Sequence, residues 1–183
     1  MDICKSIKES LETRYSLAGL EEFIAHEDTK PPKMFYINIT YTDSEGTEEV
    51  ANIAIFISSL FLDLGMLERI SANPAHKGIV RKIIQLAICK AVQLNLPIHF
   101  KATPGVGKYT KHVSKNKTKL YKYYNNLGFT RVKNQEPGDE IYYETPVEKL
   151  KEIMASWAPA AGGGCAGACG ISRKRKATRK SRR

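Results

Sequence analysis

Two hydrophobic periods alternate along the chain, and they predict where helices and strands lie. In residues 2–25 apolar side chains recur every three or four positions, which predicts one or two helices that end before the prolines at 31–32. Residues 34–41 are β-branched and aromatic, and so is the segment "VANIAIFIS" that follows the turn-forming "DSEGTEE". The pattern therefore predicts two antiparallel strands joined as a hairpin.

The middle of the chain predicts a strand, a helix and another strand. Residues 60–72 form the first of these strands, with a bulge or break at Gly65, although the first half of this segment would also suit a helix. Residues 79–94 carry a broad apolar face, typical of a helix that packs on a sheet, and "LNLPIHFKAT" returns as a strand. Because a helix joins the two strands, we expect a βαβ unit with parallel strands.

A second helix and two short strands complete the predicted sheet. After a polar loop at 105–118 comes a short helix that ends at Gly128. Its inner face consists of Leu120, Tyr123, Tyr124 and Leu127. The segments "FTRVK" and "EIYYET" then alternate as strands around the turn "QEPGD". This order predicts the α+β class, with a mixed, mostly antiparallel twisted sheet, a central βαβ unit and flanking helices.

The length and composition of the chain limit the number of domains it can form. A chain of 183 residues with 42% hydrophobic residues suits one domain with an appendage. We predict a domain at 1–155, a Gly/Ala-rich flexible linker at 156–171 and a basic tail at 172–183 that is disordered when alone. The sequence has no apolar run of membrane length and no secretory signal at its start. It therefore predicts a soluble intracellular protein, cytoplasmic or nuclear, without a membrane partner.

The basic charge is concentrated in the tail. The formal net charge is +10, from 29 Lys and Arg against 19 Asp and Glu. Eight of the basic residues lie in "SRKRKATRKSRR", so the rest of the chain carries 21 basic and 19 acidic residues, or +2. The charge says little about the domain's own substrate. For the tail it indicates an import signal read by a receptor, an arm that binds nucleic acid through its phosphates, or only a segment that increases solubility.

Cysteines and histidines give no metal-site pattern. Cys4 and Cys89 fall in helical, largely apolar stretches, which predicts buried thiols. For Cys165 and Cys169, in "GGGCAGACG", a local disulfide, a metal pair with outside ligands, or no role at all stay open. The four histidines are His26, His76, His99 and His112, and none has metal-ligand spacing to another or to a cysteine. We therefore predict no metal.

The segment "ATPGVGKYT" resembles a phosphate-binding P-loop, and we reject that reading. The P-loop needs a glycine where Ala102 stands and a magnesium-binding hydroxyl where Tyr109 stands. No apolar helical period follows the segment. We expect a mobile loop beside the substrate, with solvated lysines.

The βαβ segment and the second helix together resemble a known family. The residues that carry the resemblance are "NPAHKGIVRKIIQLAICKAVQLN" followed by "LPIHFKA", and "LYKYYNNLGFTRV" followed by a strand. They look like the GNAT superfamily of N-acetyltransferases, and with the preceding hairpin they cover residues 34–146. The resemblance implies binding of acetyl-CoA and transfer of its acetyl group to an amine, without a metal ion. The acceptor, a small molecule or a protein, is not indicated.

The start of the helix at residue 79 is the predicted diphosphate site. A helix N-terminus presents unpaired N–H groups and a partial positive charge, which together bind phosphate. In the family, this position carries a glycine-containing loop that binds the diphosphate of the acyl-CoA. Here the first glycine of that loop is kept, but the initial Gln or Arg and the second small residue are absent. The residues placed at the site are His76, Lys77, Gly78, Ile79, Val80 and Arg81.

The resemblance also implies the residues that carry the chemistry. Tyr124, four residues before the glycine of "GF", corresponds to the tyrosine that protonates the leaving thiolate in the family, and a neutral phenol suits that task. Glu68 and Asp63 are the candidate bases for the amine proton. Backbone N–H groups near Ser71 and Ala72 would polarise the thioester carbonyl. Asn116 lies near a family asparagine that contacts the cofactor, one residue out of register.

Two other functions remain open at this point. The absent Gln or Arg and the β-branched Val80 favour a protein that binds acyl-CoA without catalysis, because a bulky side chain would crowd the diphosphate. The basic tail favours a nucleic-acid-binding accessory protein. The sequence opens with helix and shows no first strand of the family. The resemblance implies that residues 1–33 and 104–118 shape the acceptor side.

Overall fold

A computed structural model describes residues 2–102, 113–132 and 141–157 of the chain. The helices are α1 Ile3–Glu12, α2 Leu20–Ala25, α3 Ile79–Gln93, α4 Val113–Asn126 and α5 Val147–Ala155, with a 3-10 turn at Pro74–His76. The strands are β1 Ser16–Ala18, β2 Lys33–Asp43, β3 Gly46–Ile57, β4 Leu62–Arg69, β5 Ile98–Ala102 and β6 Ile141–Thr145. Within these residues no helix is long and apolar enough to cross a membrane.

The strands form one mixed sheet in sequence order, from β1 to β6. β4 and β5 are parallel, and every other neighbouring pair is antiparallel. Helix α3 joins the parallel pair, because parallel strands need a crossover connection. The predicted α+β class, hairpin and central βαβ unit are confirmed.

The two faces of the sheet differ in burial. The face that packs against the helices is apolar: Phe35, Ile53 and Phe100 are each at most 4% exposed. Side chains alternate along a strand, so the intervening residues point to the opposite face, which we call the open face. Its residues are Met34, Tyr36, Asn38, Glu49, Asn52, Phe56, Asp63, Met66, Glu68, His99, Lys101, Tyr142 and Glu144. Apart from Ala54, the open face is not buried.

Gly65 is a bulge in β4, as the sequence predicts. Leu64 pairs with Ile55 and Met66 pairs with Ala54, so Gly65 has no partner in β3. A bulge bends its strand and increases the local twist. The bend comes where β4 leaves β5, because the two strands pair at Leu62 and Asp63 and no further.

Several predicted elements need correction. The first strand, not visible in the sequence, exists as β1, three residues that pair with β2. The predicted loop at 105–118 is wrong in its second part, because α4 begins at Val113. Of the predicted strand "FTRVK", the described residues 129–132 form an isolated bridge between Arg131 and Tyr143. Helix α5 was not predicted, although Val147, Leu150 and Ile153 give it a buried apolar face.

The cysteine prediction is also wrong for one pair. Cys4 in α1 and Cys89 in α3 form a disulfide across 85 residues of sequence, with their Cα atoms 6.1 Å apart. Both cysteines lie in helices, as the spacing of apolar residues predicts, but this spacing does not show that the two helices pack side by side. Cys165, Cys169 and the tail at 172–183 lie outside the described residues. Trp157, assigned to the linker, packs against the core.

Candidate active site

A cavity of about 520 Å³ opens where β4 and β5 separate. We call it the interstrand cavity. The two strands pair at Leu62 with Ile98 and at Asp63 with His99, and beyond these pairs they diverge. The cavity is lined by Leu64, Gly65, Met66, Leu67, Glu68, Phe100, Lys101, Ala102, Leu120 and Tyr124. Five consecutive residues of β4 and three of β5 line it, so the backbone edges of both strands face the cavity.

These edges offer hydrogen bonds to an extended ligand. Beyond Asp63 the backbone of β4 has lost its β5 neighbour, and peptide groups without a strand partner need another one. A ligand that contains amide groups and lies along a strand satisfies such groups, as an added strand would. The cavity is therefore suited to a narrow, amide-containing chain.

Tyr124 closes the helical side of the interstrand cavity. Its ring packs against Phe100 at 4.7 Å between centroids and against Tyr143 at 5.4 Å. The residue is 7% exposed, and in the part of the chain that the structure describes its hydroxyl forms no hydrogen bond. Burial raises the pKa of this phenol well above its usual value of 10.0, and the neighbouring Tyr123 and Tyr143 act in the same direction. The phenol is thus neutral and can donate a proton into the cavity.

The N-terminus of α3 begins just beyond the end of β4. Gly78 precedes it with φ of +91°, a conformation that favours glycine, and the first intrahelical bond runs from the Lys82 N–H to the Gly78 carbonyl. The N–H groups of Ile79, Val80 and Arg81 therefore have no acceptor within the helix. These groups and the helix dipole make this end attractive to an anion.

Several cations surround this helix end. A second cavity, of about 270 Å³, lies between it and α1, and its lining includes Arg14, Lys77, Lys82 and Gly78. Burial raises the pKa of Tyr123 in α4, and the charge of Arg81, in the first turn of α3, opposes that shift, so the end of α3 also lies near α4. Arg14 was not among the predicted residues, because it comes from the turn after α1, far away in sequence. A long-range contact of this kind leaves no local signal.

The structure does not place His76 with the cations. Its ring is buried, with Nδ1 3.1 Å from the Tyr15 hydroxyl and Nε2 3.2 Å from Glu48 Oε2. Ser71 donates to the other oxygen of Glu48. These contacts tie the segment before α3 to β3 and to the end of α1. His76 thus supports the segment from inside and does not face a ligand, and we leave it out of the proposed site.

Ser71 and Ala72 are not among the lining residues of the interstrand cavity. The N–H groups of Ile70 and Ser71 both donate to the Val50 carbonyl, at 3.0 and 3.2 Å, so they are not available to a thioester. The β4 peptides between Leu64 and Glu68 are better placed for that role.

The two candidate bases differ in their position relative to the interstrand cavity. Glu68 lines the interstrand cavity, whereas Asp63 does not: it lies at the closed end, beside His99. Burial raises the pKa of Asp63, and the charge of His99 opposes that shift. Glu68 is therefore the better-placed base.

The remaining predicted residues are Ile79, Val80 and Asn116. Ile79 is buried in the core and also lines the cavity between α3 and α1, and Val80 is partly buried and packs against the core. Ile79 and Val80 contribute their backbone N–H groups to the site. Asn116 lies in α4, but the structure does not describe its side chain. His112 is outside the described residues, and in the described part no group of three or more His, Cys, Asp or Glu could hold a metal ion.

Comparisons with known proteins return this architecture among acetyltransferases. No family model matches the chain. No curated protein matches it either. Among solved structures, an acetyltransferase from Bacillus cereus has a TM-score of 0.40 and 12% identity, over 78% of this chain and 89% of that one. The aminoglycoside 6'-N-acetyltransferase from Enterococcus faecium has a TM-score of 0.38 and 17% identity, over 70% and 79%.

A further aminoglycoside 6'-N-acetyltransferase, solved in complex with coenzyme A, has a TM-score of 0.36 and 16% identity, over 71% of this chain and 78% of that one. These likenesses concern the fold alone. They are too distant to carry over the role of any residue.

Proposed function

We propose that this protein is an acetyl-CoA-dependent N-acetyltransferase, which transfers an acetyl group to an amine by direct attack in a ternary complex. The observation that carries the proposal is the interstrand cavity, which combines unpaired backbone edges with the buried phenol of Tyr124. A cation-rich helix N-terminus lies at the same end of the sheet. An acyl-CoA has the matching order of groups: a diphosphate, an amide-containing arm and a thioester.

The diphosphate would bind at the start of α3. The N–H groups of Ile79, Val80 and Arg81 would donate to its oxygens, and Lys77, Lys82 and Arg14 would balance its charge. The amide-containing arm would then lie along β4, where the strand lacks a neighbour. The thioester would reach the part of the cavity that Tyr124 closes.

In the reaction, the amine nitrogen forms a bond to the acetyl carbon and the bond from that carbon to sulfur breaks. The N–H groups of β4 between Leu64 and Glu68 would stabilise the negative charge that develops on the carbonyl oxygen. The sulfur leaves as a thiolate and takes the phenolic proton of Tyr124. Burial raises the proton affinity of a thiolate as it does that of the phenol, so this transfer stays feasible in the cavity.

The proton of the attacking amine goes to Glu68, directly or through a water molecule. Glu68 is exposed on the open face and also lines the interstrand cavity, so it can accept a proton from the cavity and release it to solvent. Amines are mostly protonated at neutral pH, so a base at this position raises the reactive fraction. This role predicts that Glu68→Gln lowers kcat/KM mainly at low pH.

Titration calorimetry of the full chain with coenzyme A and with acetyl-CoA tests the binding step. We expect a dissociation constant in the micromolar range and about a tenfold weaker affinity for Lys77→Glu, because the substitution puts a negative charge beside the diphosphate. Lys151→Glu makes the same change of charge on the exposed side of α5, and it should leave the affinity unchanged. No binding at high micromolar concentration would refute the proposal.

Release of free thiol with a panel of amines then tests catalysis. Acetyl transfer to at least one class of amine is expected. If coenzyme A binds and no amine is acetylated, the protein would instead be a non-catalytic acyl-CoA-binding protein.

A further inference from the structure

Among the described residues, the carboxylates of the open face lack lysine and arginine partners. Glu49, Asp63, Glu68 and Glu144 are the acids of this face, and in the described part of the chain none of them pairs with a lysine or arginine. Glu49 accepts hydrogen bonds from the amides of Asn38 and Asn52, at 2.9 and 2.8 Å. Glu144 and Asp63 flank His99. Of the described residues of the face, four are acids and one, Lys101, is a lysine, so this part of the face carries net negative charge.

The helical side of the protein shows the opposite arrangement. Lys8 contacts both Glu12 and Glu21, at 3.3 and 2.5 Å, and Lys33 contacts Glu22 at 2.6 Å. The acids of α1 and α2 that these lysines contact thus have basic partners within the domain. The difference between the two sides is not a consequence of composition, because the chain outside the tail has nearly equal numbers of both charges.

The open face also exposes apolar side chains in register. Tyr36 pairs with Ala54, and Ala54 pairs with Met66, so the three form a row across β2, β3 and β4. Tyr36 is 69% exposed, Met34 42% and Met66 40%. Large apolar side chains gathered between carboxylates are typical of a surface that a partner covers. The long stems of lysine and arginine cover such surfaces well.

We propose that the open face binds the basic segment 172–183 of this same chain. The segment has eight lysines and arginines and no acid, and it therefore matches the charge that the face leaves unbalanced. The described chain ends at Trp157, after α5, which directly follows the edge strand β6. The 14 residues from 158 to 171 can span up to about 50 Å when extended. This length is enough to pass around the β6 edge and reach the open face.

The docked segment would lie at the entrance of the interstrand cavity. Met66 and Glu68 belong to both the open face and the lining of the cavity. A segment bound there would place Lys174, Lys176 or Lys180 near Glu68. The inference stands independently of the proposed enzymatic activity, because it depends on charge, exposure and chain length alone.

Carbodiimide cross-linking of the full chain tests the contact without any acyl donor. The reagent joins a lysine to a carboxylate in direct contact, and mass spectrometry locates the joined pair. We expect intramolecular links from Lys174, Lys176 or Lys180 to Glu49, Asp63, Glu68 or Glu144, and we expect them to disappear at 0.5 M salt, where the Debye length falls to a few ångströms. Links between Lys149 and Glu152, 2.7 Å apart within α5, serve as the internal standard.

The double variant Glu49→Gln/Glu144→Gln distinguishes docking from random collision. If the segment is docked, the loss of two charges should reduce the links to Asp63 and Glu68 several-fold, whereas random collisions would leave them unchanged. Unchanged links would overturn the inference. Links from the basic segment to Glu9, Glu12, Glu21 and Glu22 would also overturn it. The same holds if all links join two copies of the chain, or if the links to the open face disappear after nuclease treatment. None of these outcomes bears on the binding of coenzyme A.

Discussion

At the scale of single residues, the proposed reaction depends on the hydroxyl of Tyr124, which donates a proton to the leaving thiolate. Replacement by phenylalanine removes the hydroxyl and keeps the ring contacts with Phe100 and Tyr143. We expect turnover to fall about 100-fold or more, the usual contribution of a general acid, while the KM for acetyl-CoA changes less than about threefold. Steady-state thiol release measures both values.

Tyr121→Phe is the matched control for this substitution. Tyr121 lies on the same helix, contacts the guanidinium of Arg131 and does not line the interstrand cavity. Its turnover should stay within about twofold of the original. Equal losses in the two variants would show that the effect comes from the helix and would remove Tyr124 from the mechanism.

Asp63 gives a residue-scale prediction about pH. Burial holds its pKa above the usual 3.8 in the folded protein, so the folded state retains this proton to higher pH than the unfolded state. This group therefore favours folding at low pH and loses that contribution as the pH rises through its folded-state pKa. Asp63→Asn should raise the free energy of unfolding at pH 7. The gain should vanish below about pH 3, where both states are protonated.

Denaturant unfolding at the two pH values measures the effect. Glu144→Gln, which lies on the same face and is more exposed, provides the control and should change stability little. A destabilised Asp63→Asn at pH 7 would mean that the contact with His99 outweighs the cost of burial.

At the scale of elements, the disulfide joins α1 to α3. Closing a loop of 85 residues restricts the unfolded chain, which stabilises a protein by about 3–5 kcal/mol in the chain-entropy model. The variant Cys4→Ser/Cys89→Ser should lose about this much free energy of unfolding in denaturant titrations. The original protein should lose a similar amount under strong reductant. If reductant changes nothing and alkylation without reduction labels Cys4 and Cys89 themselves, the two cysteines are unpaired.

The sequence was informative about elements whose side chains alternate or repeat locally. It predicted the hairpin, the bulge at Gly65 and helix α3, because each has its own periodic pattern or turn residues. It missed β1, whose three residues are too few to show a period, and it missed the disulfide, which depends on how two distant helices pack. It also missed α5, and Trp157, which follows this helix and was assigned to the linker, packs against the core.

The candidate site was predictable to a similar extent. Tyr124 and Gly78 lie in short motifs that a resemblance in sequence could locate, and Glu68 was chosen as an acid on the strand before the predicted diphosphate site. Tyr124 and Glu68 both line the interstrand cavity. His76 looked like a cation beside the phosphates because the sequence does not show that Tyr15 and Glu48 enclose it. Arg14 was missed for the same reason, since its place depends on the packing of α1 against α3.

At the scale of the whole molecule, the net charge of +10 divides into a nearly neutral domain and a strongly basic end. Replacing the eight basic residues of 172–183 with glutamine should abolish any affinity for nucleic acid and its steep dependence on salt, because such binding releases counterions from phosphates. Acetyl-CoA affinity should stay unchanged. Filter binding of a labelled oligonucleotide at 50 and 200 mM salt gives the first quantity, and calorimetry gives the second. Retained nucleic-acid affinity would assign that binding to the domain.

The two residue pairs between β4 and β5 divide the sheet into a four-strand lobe and a two-strand lobe. Because only two residue pairs join β4 to β5, this junction can act as a hinge. The helices packed on the sheet then provide most of the contacts that hold the two lobes together. A ligand bound between β4 and β5 would form hydrogen bonds to both strand edges and would connect the two lobes. The protein would thus be stiffest when occupied, and amides of β4 that exchange readily with deuterium in the empty state would become protected once the gap is filled.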